Sequence, residues 1–293
     1  MSRVRIRSFC KVNLCLEILG RRDDGYHELS TVFQTVSLAD ELVLEIGGDG
    51  IELTVPGGGA PAGPENLCWR AAEAYQGLRG WPEGVRIELR KRVPAGAGLG
   101  GGSSNAAAVL SALAALDDEP PDRSELTRLA AELGSDVAFF IEGGTVLGRG
   151  RGERLEPLPA LTSCWLVLAR PELAISTAEA YGMLSKQDFT DGAGSEAMAD
   201  ALRRGEGPRS VAQHIHNGFT RTLVARWPEL AELTEALRCA RAVGAAISGS
   251  GSAVFGLFAS ADEARAAAKR LRHDGLWSAV AEPTDRGSEP TER

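Results

Sequence analysis

The sequence predicts an α+β protein in two domains, and three observations carry that reading. Residues 85–116 run strand, glycine loop and helix without a break. A strand pattern extends from residue 3 through Pro56 before the first helical periodicity sets in. Beyond Pro157–Pro159 the order becomes strand, helices, paired strands, helix, strand, which describes an antiparallel sheet with helices on one side. The expected domains are residues 1–158 and 159–283, followed by a disordered tail at 284–293.

A chain of 293 residues suits one large or two ordinary domains, and 43% hydrophobic with 25% charged residues is the balance of a soluble globular protein. The net charge of −8 argues against nucleic acid or an anionic membrane as partner, so an anionic substrate needs a locally basic site. Lysine is scarce, occurring only at 11, 91, 186 and 269 among 32 lysines and arginines, which draws attention to each. The 5 cysteines are odd in number and never spaced C-x-x-C, as expected of small buried residues in a reducing compartment. His214 and His216, two apart in an expected helix, point to different faces and make poor joint metal ligands. The opening MSRVRIRSFCKVNL has neither a long apolar core nor a cleavage signature, which predicts a cytoplasmic protein; a monomer or weak dimer is expected.

Taken in order, residues 3–20 read as a strand pair or one long bent strand, with Lys11 and Asn13 two apart and so on one face. A polar turn, RRDDGYHEL, ends in Tyr26 and His27. LSTVFQTVSL, ELVLEI and IELTVP continue as strands, residues 56–64 form a loop, and 65–78 an amphipathic helix. After VRIELRKRV, Pro94 ends the strand because it cannot donate to a ladder. A helix is expected from Ser103, capped by serine or asparagine. DRSELTRLAAELG (122–134) is a second helix with a Gly134 stop, and 144–158 a hairpin or strand. In GSDVAFF, Asp136 precedes an apolar run and reads more readily as a helix cap than as a buried functional group. In the second half, 163–171 is a buried strand, 176–184 a helix, and 185–210 irregular or loosely helical. Helices follow over 214–227 and 228–240, then strand, glycine turn and strand over 245–259, a helix over 260–275 and a last strand.

The stretch Pro94–Ala108, PAGAGLGGGSSNAAA, suits an anion cradle. Glycine lets backbone approach a phosphate closely, and the helix start offers unpaired N–H groups. No lysine follows the glycines, so a Walker A loop is excluded. Gly96, Gly98 and Gly101 satisfy G-x-G-x-x-G, with Asp117 downstream, but one helix fills the interval where a dinucleotide fold needs a second strand. A mobile glycine linker is disfavoured by the strand and helix that abut the loop.

A lysine in an N-terminal strand, a central glycine–serine loop and a C-terminal glycine turn resemble, in that order, the GHMP small-molecule kinases. FCKVNLCLEILGRRDDGYHEL, PENLCWRAA, PAGAGLGGGSSNAAAVL, GSDVAFF and AISGSGSAVFGLF narrow the resemblance to the 4-diphosphocytidyl-2-C-methyl-D-erythritol kinase family of the non-mevalonate isoprenoid pathway. The resemblance implies a two-domain fold with an N-terminal mixed sheet and a C-terminal ferredoxin-like sandwich, and a kinase using ATP and magnesium on a cytidine diphosphate-linked methylerythritol. Lys11 and Asp136 become the catalytic pair, with Asn13 beside them. Tyr26 and Tyr181 are implied to hold the cytosine, His27 to read its edge, Phe33 to line the pocket and Thr177 to seat the substrate. Pro94, Gly96, Gly98, Gly100, Gly101, Gly102, Ser103 and Ser104 are implied to wrap the ATP phosphates, with Asn66, Lys91 and Asn105 near the adenosine. Cys10 stands where the family usually has alanine, and Gly218 where an acidic residue is common, which weakens any role for Asn217. No magnesium-ligating glutamate is identifiable, leaving Ser103 or Ser104 with water and phosphate oxygens. Without the resemblance, Lys11 reads as a strand-edge gatekeeper, Tyr26–His27 as turn residues, Tyr181 as a core aromatic, and Gly249 and Gly251 as hairpin formers.

Overall fold

The structure is a computed structural model, and it describes residues 2–80 and 84–292. β1 (Arg3–Arg21) and β2 (His27–Ile46) are two long strands that pair antiparallel over nearly their whole length; burial alternates where residues 3–7 meet 41–45 and is continuous over 8–18 and 29–36. The first is therefore one strand, bent by register shifts at Phe9/Cys10, Asn13/Cys15 and Ile18/Gly20. β3 (Ile51–Thr54), α1 (Leu67–Arg79) and β4 (Val85–Arg90) lead to the glycine loop. Beyond it come α2 (Gly101–Leu116), α3 (Arg123–Leu133), α4 (Ser135–Glu142), β5 (Thr145–Gly150) and β6 (Arg154–Leu158). Helix α3 begins with a complete capping box between Asp122 and Glu125.

The chain then passes to β7 (Trp165–Arg170), α5 (Thr177–Gly182), α6 (Ala193–Arg203), α7 (Pro208–Val211), β8 (His216–Asn217), α8 (Thr220–Arg226), α9 (Glu229–Cys239), β9 (Gly244–Ile247), β10 (Val254–Phe258), α10 (Ala261–His273), β11 (Trp277–Ala281) and β12 (Ser288–Glu292). Among the described residues these strands build two sheets. One is mixed, with the path β12-β1-β2-β4-β3 and with β5, β6 and β8 attached; β3–β4 and β1–β8 are its parallel pairs. The other is antiparallel, ordered β11-β7-β10-β9. Helix α2 carries no charged residue and, Ser111 apart, is apolar beyond Asn105, and Ala106–Leu110 are buried in one core with β2, β4, α1 and α4. That places its N-terminus, and with it the glycine loop, against β1.

Four local expectations are corrected. Helix α2 starts at Gly101, two residues early, and its cap is Gly100 at φ 68 with no side-chain hydrogen bond. Residues 185–210 include the regular helix α6, whose Met198, Ala199 and Leu202 enter the core at helical spacing. His216–Asn217 is a short strand parallel to β1, so the helix there shrinks to α8. The tail is ordered: β12 pairs with β1, Phe9 N donates to Gly287 O at 3.0 Å, and Thr284 bonds repeatedly to Thr35. A polar end strand of this kind holds by backbone hydrogen bonds, each worth roughly 0.5–1.5 kcal/mol net. Truncation after Thr284 is expected to destabilise the protein by about 2–4 kcal/mol in urea unfolding, whereas a disordered tail predicts no change.

Candidate active site

The glycine loop turns on residues that need positive φ: Gly96 at 62, Gly98 at 75 and Gly100 at 68. Gly98 also has no room for a side chain, since a Cβ there meets the Ser248 carbonyl oxygen at 2.1 Å. The loop is packed against the second glycine turn: Ser248 Oγ donates to Gly98 O at 3.0 Å and Ala253 N to Ala97 O at 3.0 Å. Within α2 the first backbone bond is Ser104 N to Gly100 O, so the helix offers no acceptor to the amides of Gly101, Gly102 and Ser103. Those three N–H groups, backed by the helix dipole, face a cleft of about 460 Å³ lined by Ser103 and Asp136 among others.

Ser104 departs from its expected role. Its hydroxyl is buried 2.5 Å from both Phe9 O and Ser8 Oγ, and it does not line the cleft. Lys91 and Asn105 do line it, and both are anchored on Asp40. Lys91 forms an ion pair with that carboxylate, Asn105 donates to it at 2.9 Å, and Arg92 N and Val93 N donate to its other oxygen at 2.7 and 2.8 Å. Asp40, fully buried and missed in the sequence, thereby fixes the strand exit that launches the loop. Asn66 lines the cleft while capping α1, accepting from Cys68 N at 2.9 Å.

Lys11 and Asp136 meet beside the head of α2. Lys11 Nζ lies 3.6 Å from Asp136 Oδ2, donates to Asn13 Oδ1 at 2.7 Å and sits 5.6 Å from the centre of the Phe33 ring. Asn13 donates in turn to Thr31 Oγ1 at 2.8 Å, and Thr31 to Cys15 O at 2.7 Å, so the lysine is held by a chain anchored in β1 and β2. Asp136 lies in the first turn of α4 but makes no cap hydrogen bond; Gly134 is the cap, and the capping reading of Asp136 is corrected. Its side chain is 34% exposed, to the cleft, against 5% for Lys11. A Cβ on Gly100 comes within 3.1 Å of Lys11 Cε, which is how closely the loop approaches the ammonium.

Past Asp136 the cleft opens into a second cavity of about 950 Å³, lined by Tyr26, His27, Thr177 and Tyr181 with the cations Arg21, Arg151 and Lys186. The rings of His27 and Tyr181 lie 5.0 Å apart, tilted by 31°, and Tyr181 rests edge-on against Phe219. Tyr26 is 57% exposed and carries the Arg151 guanidinium 4.7 Å over its ring. Burial pushes the Tyr181 hydroxyl pKa upward, with the Asp136 charge adding to it, while burial and Arg21 press the His27 imidazole below its ordinary value. Both groups are thus neutral at pH 7. Thr177 Oγ1 lies 3.2 Å from Ser250 Oγ, which joins this wall to the second glycine turn.

The family model for the N-terminal domain of GHMP kinases matches residues 66–144, and that for the C-terminal domain matches 198–275. The 4-diphosphocytidyl-2-C-methyl-D-erythritol kinase of Moorella thermoacetica is 42% identical over 275 residues, covering 93% of this chain and 96% of that protein. The chain belongs to this family of GHMP kinases. The Thermus thermophilus kinase of the same name is 44% identical over 281 residues, 96% of this chain and 97% of its own. A crystal structure of a 4-(cytidine 5'-diphospho)-2C-methyl-D-erythritol kinase superposes with a TM-score of 0.81 at 42% identity, over 95% of this chain and 99% of the other. The homoserine kinase of Cytophaga hutchinsonii, at TM-score 0.79 and 21% identity, shares the fold over 99% of this chain and 98% of its own.

The matched N-terminal segment of this GHMP kinase holds the glycine loop and Asp136, and the C-terminal one holds the second turn and its anchor, Asn217. Asn217, 2% exposed, donates to Ile247 O and Gly249 O at 2.8 Å each and accepts from Phe219 N at 2.8 Å. One amide therefore sets both the turn beneath Gly98 and the ring beneath Tyr181, in spite of Gly218. Asn217→Ala strands two carbonyls and one amide, and is expected to cost about 2–4 kcal/mol in urea unfolding and to raise the KM of both substrates. Among the described residues no group of three His, Cys, Asp or Glu is arranged to hold a metal. Of the two serine hydroxyls at the head of α2, that of Ser103 faces the cleft, since Ser104 is already committed to Phe9 O and Ser8.

Proposed function

We propose that this chain transfers the γ-phosphoryl group of ATP to the 2-hydroxyl of 4-diphosphocytidyl-2-C-methyl-D-erythritol. The observation that carries the reading is the meeting of Lys11 and Asp136 at the head of α2, with the phosphate loop on one side and the ring-lined, cationic cavity on the other. The acceptor is a tertiary alcohol, a weak nucleophile whose proton must leave as it attacks. Its oxygen forms a bond to the γ-phosphorus, the bond to the β,γ-bridging oxygen breaks, ADP departs, and the proton passes to the Asp136 carboxylate. The Lys11 ammonium favours the charge developing on the attacking oxygen and holds the carboxylate in place.

The loop amides and the α2 dipole bind the triphosphate; Ser103 would hold the magnesium, which would supply charge neutralisation. Lys91, Asn105 and Asn66 shape the adenosine side. In the second cavity Tyr26 and Tyr181 supply the rings that flank a pyrimidine, and His27, beside Tyr181, carries both a donor and an acceptor for its edge. Arg21, Arg151 and Lys186 supply positive charge for the diphosphate link within a chain of net charge −8. No helix among the described residues is long and apolar enough to cross a membrane.

Turnover with ATP and magnesium, offering the cytidylyl substrate beside mevalonate and homoserine, tests the reading. Release of ADP with the cytidylyl compound alone is expected. Turnover of either other alcohol with none of the first overturns it.

A further inference from the structure

A third cavity, of about 790 Å³, lies on the outer side of the phosphate loop where the two sheets meet. Its walls are the glycine run 57–59 and Arg92–Ala95 from one side, and Arg170, Arg272 and Trp277 from the other. It shares Gly59, Lys91, Pro94 and Ala95 with the catalytic cleft but none of the reacting groups.

Two guanidiniums in this cavity lack a carboxylate partner among the described residues. Both line the same cavity: Arg170 pairs with Trp277 in the sheet, the next residue is Ser278, and Arg272 Nη1 donates to Ser278 O at 3.1 Å. Arg170 reaches only carbonyls, Pro171 O at 3.3 Å and Ala95 O at 3.5 Å, near the limit of a hydrogen bond. Most of their fork-like N–H donors are free. Arg92 adds charge although it is paired to Glu41, and Glu172 is the acid that lines the same wall. On a chain of net charge −8, such a basic hollow selects for anions, and the planar fork of each guanidinium matches phosphate oxygens two at a time.

We infer that this seam is a second phosphate site, which takes the diphosphate group of a small metabolite between Arg170 and Arg272 while the catalytic loop holds its own nucleotide. Trp277 gives the remainder of such a molecule a flat apolar wall. Because Arg170 already touches Ala95 of the phosphate loop, a ligand here ties the second sheet to that loop.

The test is calorimetric titration of inorganic pyrophosphate into the whole protein saturated with ADP, at fixed ionic strength. One further equivalent is expected to bind the wild type. In Arg170→Gln/Arg272→Gln it is expected to bind at least tenfold more weakly, with ADP binding retained as proof of folding. Arg272→Gln alone, at the exposed end of α10, serves if the double variant does not fold, with a smaller loss of at least threefold expected. No additional equivalent in the wild type overturns the site, as does equal affinity in the variants, which assigns pyrophosphate to the catalytic loop.

Discussion

Asp136→Asn is expected to lower kcat by about two to four powers of ten while the KM values for ATP and acceptor stay within a few-fold. The amide is isosteric with the carboxylate and keeps a group 3.6 Å from Lys11 Nζ, but it cannot take the acceptor's proton. The carboxylate makes no cap hydrogen bond in α4, so helix stability contributes little to the loss. Lys11→Met is expected to cost about two to three powers of ten, because it removes a donor aimed at developing charge. Its Nζ also pins Asn13, so some rise in acceptor KM belongs to this variant and not to Asp136→Asn. Rates under saturating ATP, with ADP binding measured separately, distinguish chemistry from a damaged loop. Wild-type-like turnover in Asp136→Asn would remove the proposed base.

Gly98→Ala is expected to be strongly destabilising and to disturb the phosphate loop directly. Alanine at φ +75 carries a left-handed backbone cost of roughly 1–2 kcal/mol. Its Cβ would also overlap the Ser248 carbonyl at 2.1 Å, a backbone atom that cannot swing aside. Overpacking typically adds about 1–3 kcal/mol, so a total loss of about 2–5 kcal/mol and at least a tenfold rise in ATP KM are expected. Gly96→Ala is the control. It shares the positive φ, at +62, but a Cβ there meets nothing within 4 Å, so only the roughly 1–2 kcal/mol backbone cost remains. Equal unfolding midpoints for the two variants would mean that the two glycine turns do not press on each other in solution.

The features legible in the sequence are those carried by local pattern. VRIELRKRV, the proline and the glycine run fix a strand, a stop and a helix start without reference to anything distant. The short blocks around Lys11, Asp136 and Gly249 are equally local, and their order gave the family. What depended on three-dimensional neighbours was not legible. Asp40 looks like one more acid in an exposed strand until Lys91, Asn105 and two backbone amides converge on it. Arg151 follows a glycine in an expected hairpin, and nothing nearby in the chain says that it covers Tyr26. The two serines at the helix start differ by about 100° of rotation, so a start two residues earlier decides which hydroxyl meets the cleft and which meets Phe9. The tail reads as disordered because SEPTE has no apolar face, yet a ladder to β1 and the close approach of Gly287 to Phe140 O order it.

Phosphoryl transfer here depends on an acceptor hydroxyl that sits between the Asp136 carboxylate and a phosphate held by the first amides of α2. A crystal structure with a non-hydrolysable ATP analogue and the cytidylyl substrate measures this directly. The 2-hydroxyl oxygen is expected within about 2.6–3.2 Å of an Asp136 oxygen, with Lys11 alongside and the terminal phosphate on the Gly101–Ser103 amides. An acceptor oxygen out of reach of Asp136, or a triphosphate bound away from the head of α2, would contradict it.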